Sequence, residues 1–219
     1  MKKEFVSEKD VMDFFKMLNE NHVCFLLIKN TGNELPAKLK PGKNIGIIVN
    51  PADKLKFAEV MKKNDFLYRI HPFGREHGWN FAYNLESHQF WQKKNSEYFV
   101  DVCFALCVKS LSPMVWVPLD EKINSRVWKN SVLNEKLGCS QLDEKTLLVY
   151  LIAHCLFDKR CFSDSYVKAI GDLKYLLGDE DVRKMLKTVF YEFTDSLINL
   201  VQADCYSKIF SSYLSFTEY

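Results

Sequence analysis

Lys29 stands where a lysine could contact a bound phosphate. It directly follows the apolar run 23–28 and precedes a polar stretch that contains Gly32. A lysine at the end of a strand, close to a glycine turn, can reach anionic oxygens. We therefore predict that Lys29 is a phosphate-binding residue.

A second group of chemically active side chains lies in the segment Leu151-Ile-Ala-His154-Cys-Leu-Phe-Asp158-Lys159-Arg160. His154 and Asp158 are four residues apart, so on a helix they share a face. An amphipathic core helix that ends in a solvated, charged turn accounts for the same residues equally well. Spacing alone leaves open whether His154 and Asp158 form part of a functional site or belong to such a structural helix.

Composition limits the class of protein. The 219 residues carry a formal net charge of +2, so no global electrostatic argument favours nucleic acid or an anionic membrane as the partner. The seven cysteines form no C-x-x-C pair, which favours free thiols in a reducing compartment. No apolar run reaches the roughly 18–20 residues of a membrane span, and no secretory segment follows Met1. We expect a cytoplasmic protein without a membrane span.

Apolar periodicity predicts the elements that would position these side chains. Ser7 and Asp10 resemble a capping box before an amphipathic helix, and Asn50-Pro51 is a strong helix start. Grouped strands followed by a run of helices favour an α+β fold. The predicted strands are 23–28, 45–49, 66–70, 79–85 and 98–106, and the predicted later helices are 143–159, 164–177, 180–201 and 203–215.

The first two strands resemble the opening of the nucleotidyltransferase fold. In that fold a strand ends in a glycine-containing turn, and a second, later strand carries two carboxylates one residue apart. The alternation of side chains puts both carboxylates on one face. With a third carboxylate from a later strand, they hold two Mg²⁺ ions for attack on a nucleoside triphosphate.

The resemblance spans roughly residues 5–177. It is to uncharacterised bacterial nucleotidyltransferases. Fukutin- and LicD-type phosphotransferases and the toxin nucleotidyltransferases of abortive-infection systems are more distant in pattern. It implies an α+β protein with a nucleotidyltransferase-like mixed sheet flanked by helices, followed by a C-terminal helical domain. The expected division is a core at 1–110, an extended connection at 111–142 and a helical domain at 143–219.

The same resemblance assigns roles to individual residues. Gly32 takes the turn position, and Asp101 corresponds to the third carboxylate, a catalytic metal ligand. Asn44 and Gly46 stand where the aspartate pair is expected. In related enzymes a C-terminal helix with a Lys/His/Arg face contacts the nucleotide phosphates. The predicted nucleotide- and phosphate-binding residues are Lys29, Gly32, Asn33, Asn44, Gly46, His154, Lys159 and Arg160.

Because Asn44 and Gly46 replace the expected aspartate pair, more than one functional hypothesis is open. Asparagine keeps an oxygen without the charge, glycine has no side chain, and divalent cations need several anionic oxygen ligands. One hypothesis is a transferase that moves a nucleotidyl or phosphoryl group to a small acceptor, with Mg²⁺ held at Asp101. The alternative is a pseudoenzyme that binds a nucleotide or a protein partner without turnover. A third reading is deliberate inactivation at these two positions.

Overall fold

The computed structural model describes residues 6–30, 34–39, 43–69, 88–111 and 116–218. Within these ranges the strands are β1 (Val6–Ser7), β2 (Phe25–Leu27), β3 (Lys38–Leu39), β4 (Asn44–Val49), β5 (Phe66–Arg69), β6 (His88–Lys93), β7 (Phe99–Cys103), β8 (Cys107–Lys109), β9 (Trp116–Pro118), β10 (Val132–Asn134) and β11 (Cys139–Gln141). The helices are α1 (Glu8–Glu20), α2 (Lys54–Lys63), α3 (Glu121–Lys129), α4 (Glu144–Ala153), α5 (Asp164–Leu173), α6 (Glu180–Phe190), α7 (Thr194–Gln202) and α8 (Tyr206–Ser215).

The main sheet is mixed and has the strand order β10-β11-β2-β4-β7-β6-β5. Strands β4 and β7 run parallel at its centre, with Gly46 opposite Asp101. Strand β2 pairs antiparallel with β4, and β6 pairs antiparallel with β7. The fold is therefore α+β, as the grouping of strands and helices in the sequence predicted.

One face of the sheet is covered by α1 and α2. Helix α1 begins at the predicted capping box, in which the Ser7 hydroxyl accepts from the Asp10 backbone amide and the Asp10 carboxylate accepts from the Ser7 amide. Before α2, the Asn50 side chain caps a short 3₁₀ turn over Pro51–Asp53. The buried side chains of α1 join a core with alternate residues of β4 and β7: Val11, Phe14, Phe15, Leu18, Ile45, Ile47, Val100 and Val102.

The opposite face of the sheet packs against the C-terminal helices. Leu26, Ile48 and Cys103 belong to the same buried cluster as the apolar residues of α4 to α8. Because side chains alternate along a strand, the residues of β4 and β7 that precede Ile48 and Cys103 by two positions face these helices as well. Those residues are Gly46 and Asp101.

Several elements differ from the sequence prediction. Strand β6 was not predicted, because its sequence His88-Gln-Phe-Trp-Gln-Lys has few apolar residues, although His88 and Trp91 are buried. The predicted strand at 79–85 lies outside the described residues. The predicted helix 143–159 is α4 followed by a π-helical turn, His154–Lys159.

The segment 111–142, predicted as an extended connection, contains α3 and two strands of the main sheet, β10 and β11. The Asp120 side chain caps α3 by accepting from the Lys122 amide. Strands of three residues are too short to carry a periodic signal, which explains why the sequence did not indicate them. The division into domains at 110 and 142 stays a prediction.

Candidate functional site

Three of the predicted site residues lie together on the face of the main sheet that packs against the C-terminal helices. They are Asn44, Gly46 and Asp101. Strand pairing puts Gly46 beside Asp101, and Asn44 shares the face of Gly46 because the two are two residues apart. The Asn44 side-chain amide donates a hydrogen bond to Oδ2 of Asp101. The three positions that the resemblance singled out are therefore neighbours in space.

Gly46 leaves room for a side chain. A Cβ atom at this position would have Ile28 Cδ1 as its neighbour at 3.8 Å, an ordinary van der Waals distance. Such a side chain would point from the same face as Asn44, beside Asp101. Contacts at Cβ therefore do not exclude a side chain at this position.

Asp101 sits in a buried environment surrounded by positive charge. Burial raises the pKa of its carboxyl group to about 6, against the opposing effects of Lys29, Lys109 and Lys159 and of the Asn44 hydrogen bond. Its Oδ1 atom is buried and makes no hydrogen bond within the described residues. The nearest basic ring atom, Nε2 of His88, lies 3.8 Å away.

Lys29, His154 and Asp158 form a continuous chain of polar contacts. The Nζ atom of Lys29 is 2.8 Å from Nε2 of His154, and Nδ1 of His154 is 2.5 Å from Oδ2 of Asp158. Burial lowers the pKa of His154 to about 4, although the hydrogen bond to Asp158 acts in the opposite direction. At neutral pH the imidazole is therefore uncharged: Nδ1–H donates to Asp158, and Nε2 accepts from Lys29.

The Lys29 ammonium is held on two sides. It donates to the hydroxyl of Tyr166 at 3.0 Å, and it lies 5.2 Å from the centroid of the same ring. Burial and then the charge of Lys159 lower the pKa of Lys29 to about 8, while Asp158 and Asp101 raise it. Lys29 consequently carries its positive charge at neutral pH but loses it at mildly basic pH.

The π-helical turn His154–Lys159 connects the contacts of Lys29, His154 and Asp158 to the rest of the fold. Oδ1 of Asp158 accepts a 2.5 Å hydrogen bond from the backbone amide of Lys109, at the end of β8. After the turn, Arg160 adopts a left-handed conformation with φ 55°, and its guanidinium donates to the Leu111 carbonyl at 2.5 Å. Single π-helical turns are frequent at functional sites, and here the turn aims His154 and Asp158 at the sheet.

Lys109 completes the cationic surroundings of Asp101. Its side chain is buried, and Nζ lies 5.0 Å from the ring centroid of Trp116. Trp116 in turn stacks on His88, with 4.3 Å between ring centroids. Burial lowers the pKa of Lys109, and Asp158 opposes that effect.

The structure thus joins most of the predicted site residues and adds others. Lys29, His154, Asn44, Gly46 and Asp101 belong to one region, and Lys159 and Arg160 are exposed beside it. Gly32 and Asn33 lie outside the described residues. The residues that the sequence did not single out as part of this site are Lys109, Tyr166 and His88. No spacing signal pointed to Lys109, whereas Asp158, four residues after His154, was visible as its helical neighbour.

A cavity of about 870 Å³ opens beside Lys29. It lies between strands β10 and β11, at one end of the main sheet, and helices α4 and α5, and its wall mixes apolar and charged side chains. Lys29 is only partly buried and forms part of that wall. Other residues of the wall include Asn30, Gln141, Leu147, Ser165 and Lys168.

The residues present do not fit a two-magnesium centre. At the three positions implied by the resemblance they offer one carboxylate, one amide and a glycine, whereas Mg²⁺ requires near-octahedral oxygen ligation that includes anionic groups. The charges nearest to Asp101 are those of lysines. In the part of the chain that the structure describes, no group of three or more His, Cys, Asp and Glu side chains could hold a metal ion.

Comparison with known proteins places the fold. No protein-family model matches the chain, and no curated protein matches it. Among solved structures, it is similar to the antibiotic-resistance factor ANT(2'')-Ia, an aminoglycoside nucleotidyltransferase. The TM-score is 0.50 at 6% sequence identity, and the match covers 90% of this chain and 100% of the other.

This similarity concerns the fold alone. It confirms the predicted nucleotidyltransferase-like mixed sheet flanked by helices and followed by C-terminal helices. The narrower resemblance to fukutin- and LicD-type proteins stays a prediction. None of the helices in the described ranges has both the length and the apolar character needed to cross a bilayer.

Proposed function

We propose that this chain is a nucleotide-binding protein of the nucleotidyltransferase fold that binds phosphate with lysines in place of two divalent cations. In this proposal it does not carry out two-metal nucleotidyl transfer. The observation that carries the proposal is the Asp101 carboxylate, hydrogen-bonded by Asn44 and surrounded by lysines. A nucleotide is the expected partner because the fold is that of nucleotidyltransferases.

Charge balance supports anion binding at this place. Four cationic side chains and two carboxylates influence one another here: Lys29, Lys109, Lys159, Arg160, Asp101 and Asp158. The four positive charges exceed the two negative ones by two when all are ionised. A local excess of positive charge next to a partly closed cavity attracts polyphosphate, and ammonium groups bind phosphate oxygens through charge-assisted hydrogen bonds.

A second candidate is a transferase that works without the metal pair. It would move a nucleotidyl or phosphoryl group to a small acceptor, such as a sugar or an RNA end. The observation that favours it is the burial of the Asp101 carboxyl group, which raises its pKa to about 6. A carboxylate that titrates near neutral pH is suited to act as a general base on an acceptor hydroxyl. Release of labelled pyrophosphate from a nucleoside triphosphate would separate this candidate from simple binding.

Calorimetric titration with ATP, GTP, CTP and UTP tests the binding proposal. Lys159→Gln is the informative variant, because Lys159 is exposed and its loss leaves the core intact. We expect about tenfold weaker nucleotide binding, the cost of one charge-assisted hydrogen bond. Lys62→Gln is the matched control, since Lys62 is exposed on α2, on the other side of the sheet. Equal affinities for both variants, or no nucleotide binding at millimolar concentration, would overturn the proposal.

A further inference from the structure

We propose that Lys29 is a nucleophilic amine, activated by His154, that forms an imine with a phosphate-bearing carbonyl compound in the adjoining cavity. Two observations carry the inference. The first is the chain of contacts from Lys29 through His154 to Asp158, and the second is the position of Lys29 in the cavity wall. Only the phosphate requirement rests on the proposed function, because the reactivity of the amine depends on the contacts of Lys29 itself.

The three side chains have the arrangement that activates a nucleophile. An activated nucleophile lies within hydrogen-bond reach of a base, and a third group orients that base. Here Nζ of Lys29 is the nucleophile, 2.8 Å from Nε2 of His154. Asp158 is the orienting group, since it accepts from Nδ1 and leaves the lone pair of Nε2 directed at Lys29 and at the Tyr166 hydroxyl, which is 3.1 Å from Nε2.

Asp158 is itself rigidly placed. Its side chain is 3% exposed, and its second oxygen accepts the backbone amide of Lys109. An orienting carboxylate that is fixed by the backbone keeps the imidazole in one tautomer. A surface ion pair would not need this arrangement, and a lysine that served only to bind phosphate would not need a neutral imidazole as its neighbour.

Lys29 borders the cavity, although its amine lies among protein side chains. Lys29 contributes to the wall of the 870 Å³ cavity, which also exposes Lys168 of α5. Lys168, on the same cavity wall, can bind a phosphate group while the carbonyl carbon reaches Nζ of Lys29. The depressed pKa of Lys29, caused chiefly by burial, increases the fraction of neutral amine available for attack.

The chemistry balances without an oxidant, a reductant or a metal. The ammonium of Lys29 first loses a proton to solvent, and the lone pair of Nζ then forms a bond to the carbonyl carbon as the C=O π pair moves to oxygen. Nε2 of His154 accepts a proton from the new N–H₂⁺ group and passes it to that oxygen. The hydroxyl then takes a proton from solvent and leaves as water. The product is an iminium ion on Lys29, and the positive charge of the original ammonium is retained.

The groups that face Lys29 come from three elements. They are Asp101 of β7, then His154, Cys155, Asp158 and Lys159 of the π-helical turn, and Tyr166 of α5. The two carboxylates favour the ammonium form and Lys159 opposes it. Imine formation should therefore rise with pH and level off above about pH 8.

Pyridoxal 5'-phosphate followed by borohydride reduction tests the inference on the unmodified protein. The reagent is an aldehyde that carries a phosphate, and peptide mapping locates the reduced adduct. We expect Lys29 to be labelled on the order of tenfold faster than exposed Lys62 at about pH 7. The lowered pKa of Lys29 leaves more of its amine in the neutral, reactive form. Labelling of Lys29 no faster than Lys62 would overturn the inference.

Two further measurements separate its parts. The variant His154→Gln, checked for folding by circular dichroism, should slow the labelling of Lys29 by about a hundredfold, because the proton acceptor is lost. An unchanged labelling rate would exclude activation by His154.

Pyridoxal, which lacks the phosphate, should label Lys29 more slowly than its phosphate ester. Equal rates for the two aldehydes would refute the phosphate requirement, whereas calorimetry with nucleotides reports on the proposed function independently.

Discussion

Asn44 of β4 donates its side-chain amide to Oδ2 of Asp101 on the neighbouring strand β7. This contact satisfies one oxygen of the only carboxylate among the three positions at which the resemblance to nucleotidyltransferases predicts metal ligands. The Asn44 amide, a hydrogen-bond donor, therefore stands at a position where the resemblance predicts a carboxylate ligand. Lysines supply the positive charge around Asp101, and the geometry of the strands is otherwise suited to hold a carboxylate pair.

Restoring the pair should create metal binding. In the double variant Asn44→Asp, Gly46→Asp, three carboxylates would share one face of the sheet, and the space beside Gly46 admits a side chain. We expect Mn²⁺ to bind measurably to this variant by calorimetry, because it supplies several anionic oxygens. Asn44→Gln, Gly46→Asn is the uncharged control. No difference in Mn²⁺ binding between the two variants would show that this face is not the metal position.

The charge of Asp101 should destabilise the protein at neutral pH. Burial raises its folded-state pKa to about 6, above its ordinary value. Between about pH 4 and 6 the folded protein therefore holds a proton that the unfolded chain has lost, so the free energy of unfolding falls as pH rises. Asp101→Asn should raise stability on the order of 2 kcal/mol at about pH 7.

Urea unfolding at a series of pH values checks this expectation. The advantage of Asp101→Asn over the wild type should shrink as pH falls and vanish below about pH 4, where both forms are uncharged. A variant that is less stable than the wild type at neutral pH would mean that the lysines outweigh the cost of burial.

Loss of the Asp158 carboxylate should be strongly destabilising. Asp158→Ala leaves two donors unpaired in the interior, Nδ1–H of His154 and the backbone amide of Lys109. Each unsatisfied buried group costs about 1–3 kcal/mol, so a loss of about 2–6 kcal/mol is expected in urea unfolding. Asp195→Ala, at an exposed pair with Arg183, should change stability by less than about 1 kcal/mol. Similar losses for both variants would contradict the arrangement.

His154 should remain neutral through the physiological range. Its pKa is lowered to about 4, chiefly by burial, and its proton is on Nδ1 because Asp158 accepts there. Nitrogen-15 NMR of the imidazole should show this single tautomer down to about pH 5. Titration near the ordinary histidine pKa, or a proton on Nε2, would disprove the orientation on which the activation of Lys29 depends.

The sequence contained more information about the fold than about the site. The capping box at Ser7 and the apolar run of β4 are local signals, and both were interpreted correctly because one element decides each of them. Strand β6 could not be predicted in this way. Its burial depends on pairing with β5 and β7, and its own sequence is mostly polar.

The site residues were also harder to predict where their roles depend on contacts between distant parts of the sequence. Lys29 and His154 were predicted separately as phosphate contacts, yet the structure joins them to each other, 125 positions apart in the chain. Lys109 had no signal at all, because its role comes from the packing of β8 against the π-helical turn. Spacing reveals neighbours within one element, whereas contacts between elements require the tertiary fold.

The most direct test is the affinity for ATP measured by calorimetry with Mg²⁺ and again with EDTA. Phosphate bound by Lys29, Lys109 and Lys159 should be held at least as well without the metal, since free nucleotide carries more negative charge than its magnesium complex. We predict that EDTA leaves the affinity unchanged or increases it. Loss of ATP binding in EDTA, restored by Mg²⁺, would contradict the account.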